Sequence, residues 1–223
     1  MPTRLLALSA FALLGCSLVG CAAEPPAPET SSTRGELHAA GFFVHPRGVV
    51  RPYCHGVLTD ARFVLTAERC VATADARELS FAVGADGGYE MPIVERTDSG
   101  DGLVRLRLAA SLERGLPAAE VGAPPRTGET LSVIAFAHTA EPSAAPTPVR
   151  YLVDVREVRN EVAVADLRRG EPGCHGDLGA AVFRAGTLVA LVTGTEEGGP
   201  AHPAYEGCRT RLRLTPIATA DVR

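Results

Sequence analysis

The sequence predicts an all-β fold, a barrel or a sandwich, from three observations. From Gly41 onward the apolar segments are short and are separated by Gly, Pro, Asp or Arg. Several of them alternate with period two, and no long amphipathic helical pattern interrupts them. Phe63-Val64-Leu65-Thr66 has strand length, and Val104-Arg105-Leu106-Arg107-Leu108 adds clear alternation. Leu131-Ser132-Val133-Ile134-Ala135-Phe136, Tyr151-Leu152-Val153-Asp154-Val155, Val162-Ala163-Val164-Ala165 and Leu188-Val189-Ala190-Leu191-Val192-Thr193 continue the series. The Pro-, Gly- and Ala-rich stretches around Ala140 to Pro148 and Glu196 to Pro203 read as surface connections within one domain.

Residues 1–20 read as an export signal rather than as part of the fold. Arg4 supplies a charge, Leu5 to Leu14 a short apolar run, and small residues follow. Leu18-Val19-Gly20-Cys21 resembles the lipobox of bacterial lipoproteins, in which the cysteine is acylated and becomes the new N-terminus. Leu13-Leu14-Gly15-Cys16 is a poorer second candidate, and an ordinary secretory signal is the alternative. Residues 21–40, rich in Pro and Ser, have the composition of a flexible tether. Residues 41–223 form the expected domain, large enough to bury one core.

The chain has 22 basic and 26 acidic side chains, a formal charge of −4, and every basic residue is Arg. Such a balance, with no basic cluster, disfavours nucleic acid as a partner. No stretch after the signal approaches the length of apolar chain needed to cross a bilayer. Membrane contact is therefore expected through the lipid anchor only.

Cys54, Cys70, Cys174 and Cys208 lie in the body, an even number in a chain bound for an oxidising compartment, which favours two disulfides. No Cys-x-x-Cys pair occurs, and His55 and His175 adjoin cysteines without the spacing of a zinc site. No metal and no cofactor is expected.

Two segments carry a specific resemblance. Tyr53-Cys54-His55-Gly56-Val57-Leu58, a turn, then Phe63-Val64-Leu65-Thr66-Ala67-Glu68-Arg69-Cys70 resembles the trypsin family's Cys-Gly-Gly-x-Leu followed by Val-Leu-Thr-Ala-Ala-His-Cys. Cys174-His175-Gly176-Asp177-Leu178-Gly179 resembles the Cys-x-Gly-Asp-Ser-Gly segment around that family's nucleophile. Weaker echoes are Gly128 to Thr139, similar to the strand before Gly-Trp-Gly, and Arg213-Leu214-Thr215-Pro216-Ile217, similar to the strand that leads into a terminal helix. The resemblance spans about residues 41–220 and implies a chymotrypsin-like double β-barrel with a short C-terminal helix. It also implies the pairings Cys54–Cys70 and Cys174–Cys208.

The same resemblance implies that the catalytic machinery is degenerate. Acyl transfer of this kind needs a hydroxyl nucleophile, an imidazole base and a carboxylate that orients the base. Arg69 stands at the place of the base, and guanidinium has no acceptor lone pair and a pKa above about 12. Leu178 stands at the place of the nucleophile, and no serine follows Ser143. The carboxylate's place falls on Asp101, close enough to pair with Arg69, or, aligned without a gap, on Gly100. Pro172 takes the place of the acid that selects basic substrates, and Asp177 that of the aspartate which pairs with a newly cut N-terminus beside the former oxyanion loop at Gly176.

These readings predict a non-catalytic member of the trypsin-like serine proteases. It would be exported, held at the bacterial envelope through Cys21 or secreted, monomeric, and bound to an unidentified protein or peptide. A hydrolase built from other residues, with His55, His138 or His175 as base and Thr193 or Thr195 as nucleophile, is the competing reading. A purely structural envelope domain is a third.

Overall fold

The structure is a computed structural model. It describes residues 31–44, 50–72, 75–83, 89–112, 118–137, 147–168, 177–196 and 211–222. After a helix, α1 (Ser31–Ala39), six strands follow: β1 (Ala40–Val44), β2 (Val50–Asp60), β3 (Phe63–Ala67), β4 (Ser80–Val83), β5 (Tyr89–Gly100) and β6 (Leu103–Leu108). They close into an antiparallel barrel in the order β1-β2-β3-β6-β5-β4, sealed by pairing of β1 with β4. A one-turn helix, α2 (Glu68–Val71), continues directly from β3.

The second half repeats this plan with β7 (Thr130–Ala137), β8 (Thr147–Arg159), β9 (Val162–Leu167), β10 (Ala181–Arg184), β11 (Thr187–Thr195) and β12 (Arg211–Pro216). These close in the order β10-β11-β12-β9-β8-β7. A short 3₁₀ helix over Thr219–Val222 follows β12, where the short C-terminal helix was expected. All six strand segments read from the sequence lie within these strands.

Period-two alternation explains how two barrels become one body. Phe43, Val64, Val104 and Leu106 point into the first barrel, whereas Leu131, Val133, Val153 and Val182 point into the second. Their strand neighbours Phe42, Leu65, Ile134, Phe183 and Leu191 face outward and form a third apolar cluster between the barrels. Consecutive side chains of a strand point to opposite faces, so one strand serves two cores. Phe42 and Phe136 meet across this seam with ring centroids 5.1 Å apart.

Helix α1 falls inside the segment expected to be a tether. Glu36 and Ala39 are buried, and Ala39 and Ala40 belong to the cluster between the barrels. The nearest cation to the Glu36 carboxylate is Nη2 of Arg150 on β8, at 3.5 Å. Burial raises the pKa of this carboxyl more than the Arg150 charge lowers it. Packing therefore begins before residue 41, because small alanines let the chain approach the barrel seam closely. Cys21 and the rest of residues 1–30 lie outside the described residues.

Candidate functional site

The disulfide between Cys54 and Cys70 joins β2 to α2, with Cα atoms 5.4 Å apart. It closes the β2–β3 hairpin and fixes the start of α2, and with it Arg69. Restricting the unfolded chain in a loop of this length contributes about 3 kcal/mol. Cys174 and Cys208 lie outside the described residues, as do Pro172, His175 and Gly176.

Leu178 reaches the same corner from the second barrel. It forms a parallel bridge with Cys54, and the His55 N–H donates to the Leu178 carbonyl at 2.8 Å. Its half-buried side chain packs against the core of the first barrel. A hydrocarbon side chain offers neither nucleophile nor proton acceptor here. Gly179 makes the close approach possible: its φ is +80°, and a Cβ there would fall 1.9 Å from the His55 carbonyl oxygen.

The segment carrying Asp101 arrives by a third route. The Glu68 N–H donates to the Gly102 carbonyl at 2.7 Å, which ties α2 to the β5–β6 turn. Gly102, rather than Asp101 or Gly100, is thus the residue in contact with α2. Gly100, Asp101 and Gly102 have φ of 87°, 52° and 79°, and this run of positive values turns the chain tightly. Asp101 lines a cavity of about 600 Å³ with Asn160, Glu161 and Asp221, and Arg69 is not among its lining residues. No ion pair joins it to Arg69, so the pairing raised from the sequence is replaced by a backbone contact.

Arg69 is exposed and extends across the seam. Its Nη1 comes within 3.8 Å of where a Cβ on Gly194 of β11 would stand. There it borders a cleft of about 450 Å³, lined by Arg159, Asn160, Val162, Val164, Thr195, Glu196 and Arg213. Arg159 and Asn160 belong to the β8–β9 turn, in which Asn160 and Glu161 both have positive φ, the geometry of a tight hairpin. Arg159 pairs with Glu157 at 2.7 Å and Glu196 with Arg211 at 3.0 Å.

Asp177 is buried and accepts a hydrogen bond of 2.5 Å from the Tyr151 hydroxyl of β8. Burial above all, and then the Asp177 charge, raise the tyrosine pKa well above its ordinary value. The phenol therefore stays protonated and donates. Sequence reasoning missed Tyr151, Arg159 and Arg213. Tyr151 carried the signal of an inward strand position with a hydroxyl that must find a partner, but nothing local named Asp177.

His55, considered as a base, is buried in the seam. Its Nε2 accepts from the Phe136 N–H at 3.0 Å, and its ring stacks on Phe136. Desolvation lowers its pKa to about 4 against smaller, opposing pulls from the Phe136 and Leu178 backbone. The imidazole is thus neutral at pH 7, with its basic nitrogen already occupied. The Thr193 hydroxyl pairs with that of Thr215 at 2.9 Å. Among the described residues, no threonine hydroxyl is brought to this imidazole. His138 lies outside them.

No protein-family model and no curated protein sequence matches this chain. Solved structures do. Human heparin binding protein superposes with a TM-score of 0.64 at 19% identity, covering 85% of this chain and 90% of its own. Kallikrein-related peptidase 10, in a complex with Zn2+, superposes with a TM-score of 0.63 at 20% identity, covering 82% and 92%. The scabies mite inactivated protease paralogue S-I1 gives 0.62 at 18% identity, covering 86% and 92%. Two closed six-stranded antiparallel barrels, packed across a shared apolar seam, give this chain the chymotrypsin-like double-barrel fold of the trypsin-like serine proteases.

Proposed function

We propose that this chain is a non-catalytic protease homologue that binds a protein or peptide in the cleft between its barrels. One observation carries the reading. Backbone contacts and the Cys54–Cys70 disulfide join the segments carrying Arg69, Leu178 and Gly102 at one corner, and these residues supply neither base, nucleophile nor carboxylate there. Beside that corner an open cleft of about 450 Å³ persists. A structural neighbour described as an inactivated protease paralogue gives the reading further support. The purified protein should hydrolyse neither peptide nor ester substrates and should not label with phosphonate probes of activated serine. Turnover that is lost on replacing one of its own His or Thr residues would establish the hydrolase reading instead.

The lipobox-like run before Cys21 supports an envelope location for this chain, anchored through acylated Cys21. Mass spectrometry of the N-terminal peptide should find a lipid on Cys21. An unmodified N-terminus beyond that residue would remove the anchor and leave a secreted protein.

A further inference from the structure

We infer that the cleft beside Arg69 takes an acidic peptide segment, with the arginines receiving its carboxylates; this rests on the binding reading above and specifies its ligand. Three guanidiniums border the cleft, from three separated parts of the chain: Arg69 on α2, Arg159 at the end of β8 and Arg213 on β12. Arg159 is offset by Glu157, and the cleft's own acid, Glu196, is engaged by Arg211. Among the described residues, Arg69 and Arg213 have no carboxylate partner, and both are exposed. Elsewhere on this surface five arginines are each paired with a carboxylate: Arg96 with Asp98, Arg107 with Glu95, Arg156 with Asp166, Arg168 with Asp154 and Arg184 with Glu129. Arg62 and Arg77 likewise lack an ion pair among the described residues, but they do not line this cleft, whereas Arg69 and Arg213 face it together.

A guanidinium presents its N–H groups as a planar fork that suits a carboxylate. Val162 and Val164 add apolar surface between the charged groups, which suits an acidic side chain next to an apolar one. The volume lies within the range of about 300–1,000 Å³ typical of small binding sites. A dense polyanion is the poorer match. Glu157 and Glu196 stand close by and would repel a ligand charged on every unit more than a peptide whose acids alternate with apolar residues.

Fluorescence anisotropy on the purified full chain tests the assignment. The probes are a short labelled peptide alternating glutamate with valine, the same peptide with glutamine for glutamate, and a highly sulfated oligosaccharide. The glutamate peptide should bind about tenfold or more tightly than its glutamine counterpart at low salt. Arg69→Gln and Arg213→Gln should each weaken it about fivefold, without lowering the thermal midpoint, and should barely alter the glutamine peptide. Equal binding of both peptides, lost together in Gly194→Leu beside Arg69, would overturn the acidic preference but retain the binding cleft. Preference for the oligosaccharide with the same arginine dependence would overturn the peptide class. Binding of neither peptide, or binding that ignores all three substitutions, would overturn the cleft reading itself.

Discussion

His55 and Asp177 show how single buried polar groups decide what this site can do. An imidazole beside a cysteine invites a catalytic reading, yet here Nε2 accepts from the Phe136 backbone and burial lowers the pKa to about 4. An exposed histidine in the unfolded chain has a pKa of about 6.5. Because the folded value is depressed, the stabilisation is fully present above pH 6.5 and is lost as pH falls toward 4. The difference corresponds to about 3 kcal/mol, each unit being worth about 1.4. Urea unfolding at pH 7 and pH 4.5 should therefore show a drop in stability larger in the wild type than in His55→Gln, by about 2 kcal/mol. Equal drops would mean that His55 is solvated enough to charge in place. Asp177, at the position the family resemblance gives to the partner of an activating ammonium, instead holds the Tyr151 hydroxyl at 2.5 Å. Its carboxylate thus has an internal donor on β8, a different partner from a freed N-terminus.

At the scale of elements, the close contact between the Leu178–Gly179 segment and β2 is the most sterically demanding junction. Gly179 lacks room for a side chain: a Cβ would meet the His55 carbonyl at 1.9 Å and the Thr66 hydroxyl at 2.6 Å. Gly128 also has a positive φ, of 87°, but a Cβ there meets nothing within 4 Å. Gly128→Ala should accordingly cost only about 1 kcal/mol, the conformational penalty of a left-handed alanine. Gly179→Ala adds backbone displacement and should cost about 3 kcal/mol or more, or prevent folding. Chemical denaturation of the two variants side by side checks this, and similar losses would mean that the junction relaxes freely. The strand after Gly128 was legible as the segment Leu131 to Phe136, whereas β10, the short strand after Gly179, was not. Helix α1 was not legible. Its Pro- and Ser-rich surroundings suggested a tether, whereas burial of Glu36 and Ala39 against the barrels stabilises a segment with little helical signal of its own.

At the scale of the whole molecule, the question is how far this framework stands from a working protease. Arg69→His together with Leu178→Ser restores a base and a nucleophile, but the residue tied to α2 is Gly102, and Asp101 lines a cavity that Arg69 does not line. An imidazole without its orienting carboxylate loses about 10⁴ in rate in proteases of this type. Pro172, at the place the resemblance gives to the acid that selects basic substrates, carries no charge. The double revertant should thus cleave an arginyl ester no faster than the Arg69→His single variant. A clear excess over the single variant would show that the seam is still organised for catalysis. The sequence by itself determined the all-β class and six of the strand segments, because alternation is a local property that survives without neighbours. It also determined that Arg69 and Leu178 cannot supply the chemistry of base and nucleophile, since that follows from side-chain composition alone. Only the tertiary structure decided that Tyr151 meets Asp177, that Gly102 takes the place beside α2, and that Arg69, Arg159 and Arg213 converge on one cleft. Those contacts join residues far apart in the chain, brought together by barrel closure and by packing at the seam, and no local pattern specifies such distances.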